Sequence, residues 1–208
     1  MLDTDVEESV TEDATDDAND TSADTVEEPD LSWVVRESPT PVGWPELTPV
    51  GEVRVRRYPT VRGAYVESQG GNGSQNGMFW PLFLHISRHD IPMTAPVEMT
   101  YADPEGSARL VAMGFLYQGS DVGTVGPDGI VEVRDVDAAT FVSLGVRGAY
   151  TRAALRRGVE TLEAWLADHA DQWVADGPPR MLGYNGPSIP NANKYGEVQI
   201  PVRAAGAR

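Results

Sequence analysis

The sequence predicts an α+β domain built from two β-β-α-β units, and three observations carry that prediction. Short segments place apolar residues at every second position, the pattern of a strand with one buried face; Val53-Arg54-Val55-Arg56 and Val97-Glu98-Met99-Thr100 are examples. Two further segments carry apolar residues at helical spacing, first Phe79, Leu82, Phe83 and Ile86, then Leu155, Val159, Leu162 and Leu166. Finally, the chain repeats itself at an offset of 80 residues. Glu52-Val53-Arg54 recurs as Glu132-Val133-Arg134, Thr60-Val61 matches Thr140-Phe141, and His89 matches His169. A solenoid repeats more often and at a shorter period, so this reads as one unit duplicated.

The elements follow in order. Leu31 to Glu37 is expected to add a strand at the sheet edge. Val53 to Arg56 opens the first unit, Pro59 marks a turn, and Val61 to Val66 is the partner strand. Gly70 to Gly77 reads as a flexible loop, because Gly and Asn reach positive φ cheaply. A helix is predicted from Met78 to His89, with Pro81 tolerable near its first turn. In Ile91-Pro92-Met93-Thr94-Ala95-Pro96-Val97-Glu98-Met99 the two prolines forbid a helix and push their neighbours to extended backbone. This is a kinked lead-in to a strand, followed by another from Arg109 to Tyr117.

In the second unit Val131, Val133 and Phe141 to Val146 supply strands. Thr151 caps a longer helix running to about His169, which Asp176-Gly177-Pro178-Pro179 ends. Met181 to Gly183 and Tyr195 to Val202 complete the sheet.

Charge is unevenly distributed over the 208 residues. Residues 1–30 hold 13 acidic and no basic side chains, whereas residues 31–208 hold 19 acidic against 16 basic. Like charges with few large apolar groups cannot offset chain entropy, so residues 1–30 are expected to form a disordered acidic tail on a domain spanning 31–208. The domain itself, at −3, has no basic stripe, which argues against nucleic acid as a partner. There is no cysteine, hence no disulfide, thiolate nucleophile or Cys-based metal site. No apolar run reaches membrane-spanning length, and Met1-Leu2-Asp3-Thr4-Asp5 lacks the features of a signal peptide. We therefore expect a cytoplasmic monomer.

Four motifs point to a family. The Met93-Thr94-Ala95-Pro96-Val97-Glu98-Met99 segment resembles the M-T-x-P-V-x-M signature of the SOUL family of haem-binding protein relatives. Glu52 to Pro59 is similar to that family's E-x-R-x-Y-P strand. Tyr184-Asn185-Gly186-Pro187 and Gly196 to Val202 are similar to its Y-N-x-P loop and N-E-V-x-I-P-V strand. The resemblance covers roughly residues 32 to 203 in the family's order. It implies an antiparallel, strongly curved sheet or distorted β-barrel with two packed helices. It also implies a carrier, buffer or sensor that holds haem non-covalently in a shallow apolar cleft.

That cleft, in haem-binding relatives, lies between the first helix and the loop before the last strand. The resemblance places Met78, Leu82 and His85 on the helix side, with Tyr184 and Ile189 on the loop side. Lys194, the single lysine of the chain, stands in that loop, and Arg88 is a second cation able to pair with a porphyrin propionate. His85 would line the pocket or serve as an optional axial ligand.

Other chemistry finds little support. His85 and His89 sit four apart on one helix, but no third ligand accompanies them at ligand spacing, so no dedicated metal site is expected. His169 is expected to interact with the end of its own helix. There is no Gly-x-Ser-x-Gly elbow, dinucleotide fingerprint or P-loop. We expect no catalysis. The alternative is a binding module similar to bacterial effector-binding domains, which hold amphipathic cations; a carboxylate buried in the cleft, such as Glu98 or Glu67, would favour it.

Overall fold

The computed structural model describes residues 30–68, 70, 73–102 and 108–206. The acidic stretch read as a tail falls almost wholly outside them. Among the described residues the chain forms β1 (Val53–Tyr58), β2 (Val61–Glu67), α1 (Gln75–Arg88), β3 (Val97–Ala102), β4 (Arg109–Leu116) and β5 (Gly126–Asp128). It continues through β6 (Val131–Val136), β7 (Ala139–Arg147), α2 (Arg152–Asp168), β8 (Trp173–Ala175), β9 (Arg180–Gly183) and β10 (Tyr195–Ala204).

One antiparallel sheet runs in the order β1-β7-β10-β9-β3-β4-β2-β6-β5, with β8 paired to β10. This order is symmetric about its centre. β3 pairs with β9 in the middle, β4 and β10 flank them, β2 and β7 come next, and β6 and β1 follow. Each unit thus contributes its first strand to the other's half. The register reproduces the repeat: Val53 faces Leu144, and Val133, 80 residues after Val53, faces Ala64, 80 residues before Leu144. β1 and β5 end the order unpaired with each other, so the sheet is open and not a closed barrel.

Alternation along the strands builds two faces. Val142, Leu144, Val198 and Ile200 point to the helices, in one core with Leu82 and Ile86 of α1 and Leu155, Val159 and Leu162 of α2. On the opposite face Leu182, Tyr184 and Tyr195 pack with Val34, Leu47, Trp33 and Trp44. The segment from Leu31 to Glu37 is therefore no edge strand: it has irregular backbone and crosses this second face. Prolines at 39, 41, 45 and 49 keep the chain that follows from pairing as a regular strand. The close passage needs Gly145, where a Cβ would sit 2.2 Å from the Thr48 carbonyl oxygen.

Helix boundaries differ from expectation only at α1. Ser74 caps it, its hydroxyl accepting from the Gly77 N–H at 3.0 Å, so the helix starts at Gln75 and Pro81 lies inside it, removing the donor that would serve the Gly77 carbonyl. α2 is capped by Thr151 and closes at His169, as its pattern predicts. The 176–179 segment does not end it, because the unforeseen strand β8 lies between. His169 does meet its helix end, Nδ1–H donating to the Trp165 carbonyl at 2.7 Å.

Candidate functional site

Helix α1 carries two apolar stripes. Met78, Leu82 and Ile86 recur every four residues and are buried against the sheet. One residue along, Phe79 and Phe83 form a second stripe with Trp80, and Trp80 and Phe83 are 57% and 40% exposed. Phe79 is the pivot, its ring 5.1 Å from Phe115 beneath and 6.1 Å from Phe83 outside. Large aromatic groups left in water side by side in this way make the stripe a candidate contact surface.

This stripe forms one wall of an open cleft of about 510 Å³. Met93, Ala95 and Val97, from the proline-bracketed lead-in to β3, form the floor with Met113 of β4. The Thr94 hydroxyl holds that lead-in by donating to the Leu116 carbonyl, and the Ala95 N–H donates to Pro39 at 2.9 Å. The Ala95-Pro96 bond is cis.

The far wall is the loop at Tyr184 to Pro187, with Tyr150 and Lys194. Its position is set by hydrogen bonds. Asn185 donates its side-chain amide to the Val35 carbonyl at 2.7 Å and accepts the Tyr195 N–H at 2.8 Å. The Asn185 N–H donates to the Tyr150 hydroxyl at 2.9 Å, and that hydroxyl donates to the Tyr195 carbonyl at 2.7 Å. Burial pushes the Tyr150 phenol up to about 12. Its ring lies so close to Gly183 and Gly196 that a Cβ there would sit 2.8 Å or 2.9 Å from it. Glu37 fastens the same loop, accepting from the Ser188 hydroxyl at 2.6 Å and the Gly186 N–H at 2.7 Å. Those two bonds, Ser188 first, hold its carboxyl below the usual range. A smaller groove, about 470 Å³, continues past Glu37, Ala95 and Tyr184 toward Val34 and Leu47.

The residues expected at the site divide. Tyr184 and Lys194 line the cleft. Tyr184 is buried, with its hydroxyl accepting from Trp44 Nε1 at 3.0 Å. The Lys194 ammonium lies 5.6 Å from the Tyr150 ring centroid, within cation–π range. Met78 and Leu82 are core residues beneath α1 and are not among the cleft-lining residues. His85 is 5% exposed; Tyr117 Oη lies 2.9 Å from its Nε2 and Asp128 Oδ2 lies 2.7 Å from its Nδ1. Arg88, exposed, and Ile189, half-buried, are also absent from the lining. Phe79, Trp80 and Phe83 take the helix side instead. Their signal was in the sequence: a helix that packs on one side needs one apolar stripe, and α1 has two.

The two carboxylates singled out as possible cation sites are occupied. Glu98 accepts from the buried Arg180 Nη1 at 3.0 Å in a largely buried pair, and the Arg180 guanidinium lies 3.6 Å from the Phe141 ring centroid. Glu67 pairs with Arg134 at 2.8 Å and is exposed. Glu197, 1% exposed, is the buried acid of the second face. It accepts from the Thr48 N–H, the Tyr195 and Tyr58 hydroxyls and the Gln199 amide, so its oxygens are fully engaged.

Comparison with known proteins settles the lineage. The sequence profile described as SOUL heme-binding protein matches residues 46–201, three quarters of the chain. The chain belongs to the SOUL heme-binding protein family. Its four motifs occupy defined places in this SOUL domain: β1, the cleft floor, the cleft loop and β10. No curated protein matches the sequence closely enough to count as a relative.

Solved structures share the fold at low identity. The C-terminal domain of EcmrR superposes with a TM-score of 0.55 at 18% identity, covering 73% of this chain and 97% of that one. An uncharacterized conserved protein from Listeria innocua gives 0.55 at 11%, covering 74% and 94%. A hydrolase from the same organism gives 0.52 at 12%, covering 75% and 94%. At these identities the likeness is one of fold alone.

Proposed function

We propose that the protein binds a tetrapyrrole, haem or a close relative, reversibly in the α1 cleft. The observation that carries this is the Phe79–Trp80–Phe83 stripe, exposed at Trp80 and Phe83, facing an apolar concavity of about 510 Å³, within the usual size range of small-molecule sites. Family membership supports the ligand class. A flat macrocycle would cover the aromatic stripe on one side and the half-buried Met93 and Val97 on the other, excluding water from both. Each large side chain so covered contributes about 1.5–3 kcal/mol. Lys194 at the rim would pair with a propionate.

His85 has no part in this reading. Both its ring nitrogens are engaged beneath α1, so iron would lack an axial ligand from it, and the binding is governed by burial and charge. We read the role as carriage, buffering or sensing rather than turnover.

The cationic alternative is less favoured. Glu98 and Glu67 are paired with arginines, and the Glu37 oxygens that reach the cleft hold Gly186 and Ser188. Titration of the purified chain with hemin, followed at the Soret band, tests the proposal. A saturable shift at micromolar protein is expected. Its absence, or equal binding of a tetraphenyl cation that hemin fails to displace, would overturn it. Because a hydrolase shares the fold, recovery of unaltered hemin after incubation checks for binding without turnover.

A further inference from the structure

His85 on the last turn of α1 and His89 at its C-cap have ring centroids 4.6 Å apart, the neighbouring placement that a four-residue spacing gives. The sequence offered no third ligand near them, and the fold supplies one. β5 and β6 form a hairpin whose two-residue loop starts with Gly129 at φ 64°, a conformation that suits glycine. That hairpin sets Asp128 against the helix. Its Oδ2 lies 2.7 Å from His85 Nδ1 and 3.1 Å from His89 Nε2. One donor atom from each of the three residues falls within 4.8 Å of the others.

We propose that His85, His89 and Asp128 form a binding site for a divalent first-row transition metal ion such as zinc. Donor chemistry selects the class: two imidazoles and one carboxylate suit zinc and its neighbours, whereas calcium and magnesium require mainly oxygen donors. The present spacing of the donors is close to that of ligands sharing one ion about 2.0–2.2 Å away, so small side-chain movements admit the metal. His85 binds through Nδ1, with its Nε2–H donated to the buried Tyr117 oxygen, which fixes the ring as outer-sphere partners of metal-bound histidines do. His89 and Asp128 are 53% and 44% exposed, so the ion has a path in, and a fourth position stays open to water or a ligand. None of the three residues lines the cleft. The ion would tie the end of α1 to the β5–β6 hairpin, and its binding displaces protons from the imidazoles.

Tag-free chain titrated with zinc in a calorimeter is expected to bind one equivalent saturably and to melt at a higher temperature with zinc present. Cobalt(II) is expected to bind in its place with visible d–d bands that zinc abolishes. His89→Ala and Asp128→Asn alter exposed side chains and are expected to fold normally. Each is expected to weaken zinc binding by more than the roughly 10- to 100-fold that loss of an outer-sphere partner costs. Both are expected to leave the hemin titration unchanged, so this proposal and the tetrapyrrole reading fail separately. No saturable zinc binding, or binding that survives both substitutions, would overturn the site.

Discussion

Helices α1 and α2 hold equivalent places in the two units, yet they present opposite outer surfaces. Offset by 80 residues, Leu82 matches Leu162 and Ile86 matches Leu166, all buried against the sheet, and the C-caps are His89 and His169. Under the same offset, however, Trp80 becomes Glu160 and Phe83 becomes Glu163, both exposed glutamates. Positions the helices share hold the fold, and positions where they differ leave α1 alone with the exposed aromatic pair that the proposed ligand would cover. The exposed aromatic pair on α1 is therefore unnecessary for packing, since its counterpart does without one.

The largest effect should come from the shared positions. Leu82→Ala and Leu162→Ala each remove a side chain with no exposure, and each should lower unfolding free energy by about 2–5 kcal/mol in urea denaturation. If Leu82 proved nearly neutral, its place in the core, and with it the equivalence of the two helices, would be lost. Next in size is the cleft cation. Lys194→Ala should weaken hemin binding about fivefold, or about 1 kcal/mol, and Arg88→Ala should leave it unchanged. A loss from Arg88→Ala with none from Lys194→Ala would mean that the ligand's acidic edge points to the helix end instead of the loop.

A smaller effect follows from Glu37. Its carboxyl is held below the usual value of 4.5 by Ser188 and Gly186, so the ionised form is favoured in the folded chain. The stabilisation is fully present above 4.5 and disappears as pH falls through the lower folded value. Thermal melts of the wild type and Glu37→Gln should thus differ at pH 7 and converge in acid. A gap that widens in acid would refute the clamp. The smallest change expected is in the stability of a Trp80→Glu, Phe83→Glu variant, whose melt should stay within about 0.5 kcal/mol per site of wild type, because both positions are exposed.

Much of the fold was legible because it is written in local patterns. The offset of 80 marked the two units, and the structure repeats it in the register that pairs Val53 with Leu144 and Val133 with Ala64. Thr151 and His169 bracketed α2 because its single apolar stripe left no ambiguity. α1 was harder: with apolar residues at 78, 79, 80, 82, 83, 84 and 86, the pattern does not say which stripe faces the sheet. The family resemblance chose Met78 and Leu82 for the cleft, and packing reversed the choice. The third partner of His85 and His89 could not be read at all. Asp128 lies 43 residues from His85 in sequence, and only the pairing of β6 with β2 brings its hairpin beneath the helix.

The most direct test of the account compares hemin titrations of three chains: wild type, the Trp80→Glu, Phe83→Glu variant, and a Glu160→Gln, Glu163→Gln variant of α2. Loss of two covered aromatic groups at about 1.5–3 kcal/mol each predicts at least about a 100-fold fall in affinity for the α1 variant. The α2 variant should bind as wild type does. Undiminished binding by the α1 variant, with its melt unchanged, would contradict the placement of the ligand in this cleft.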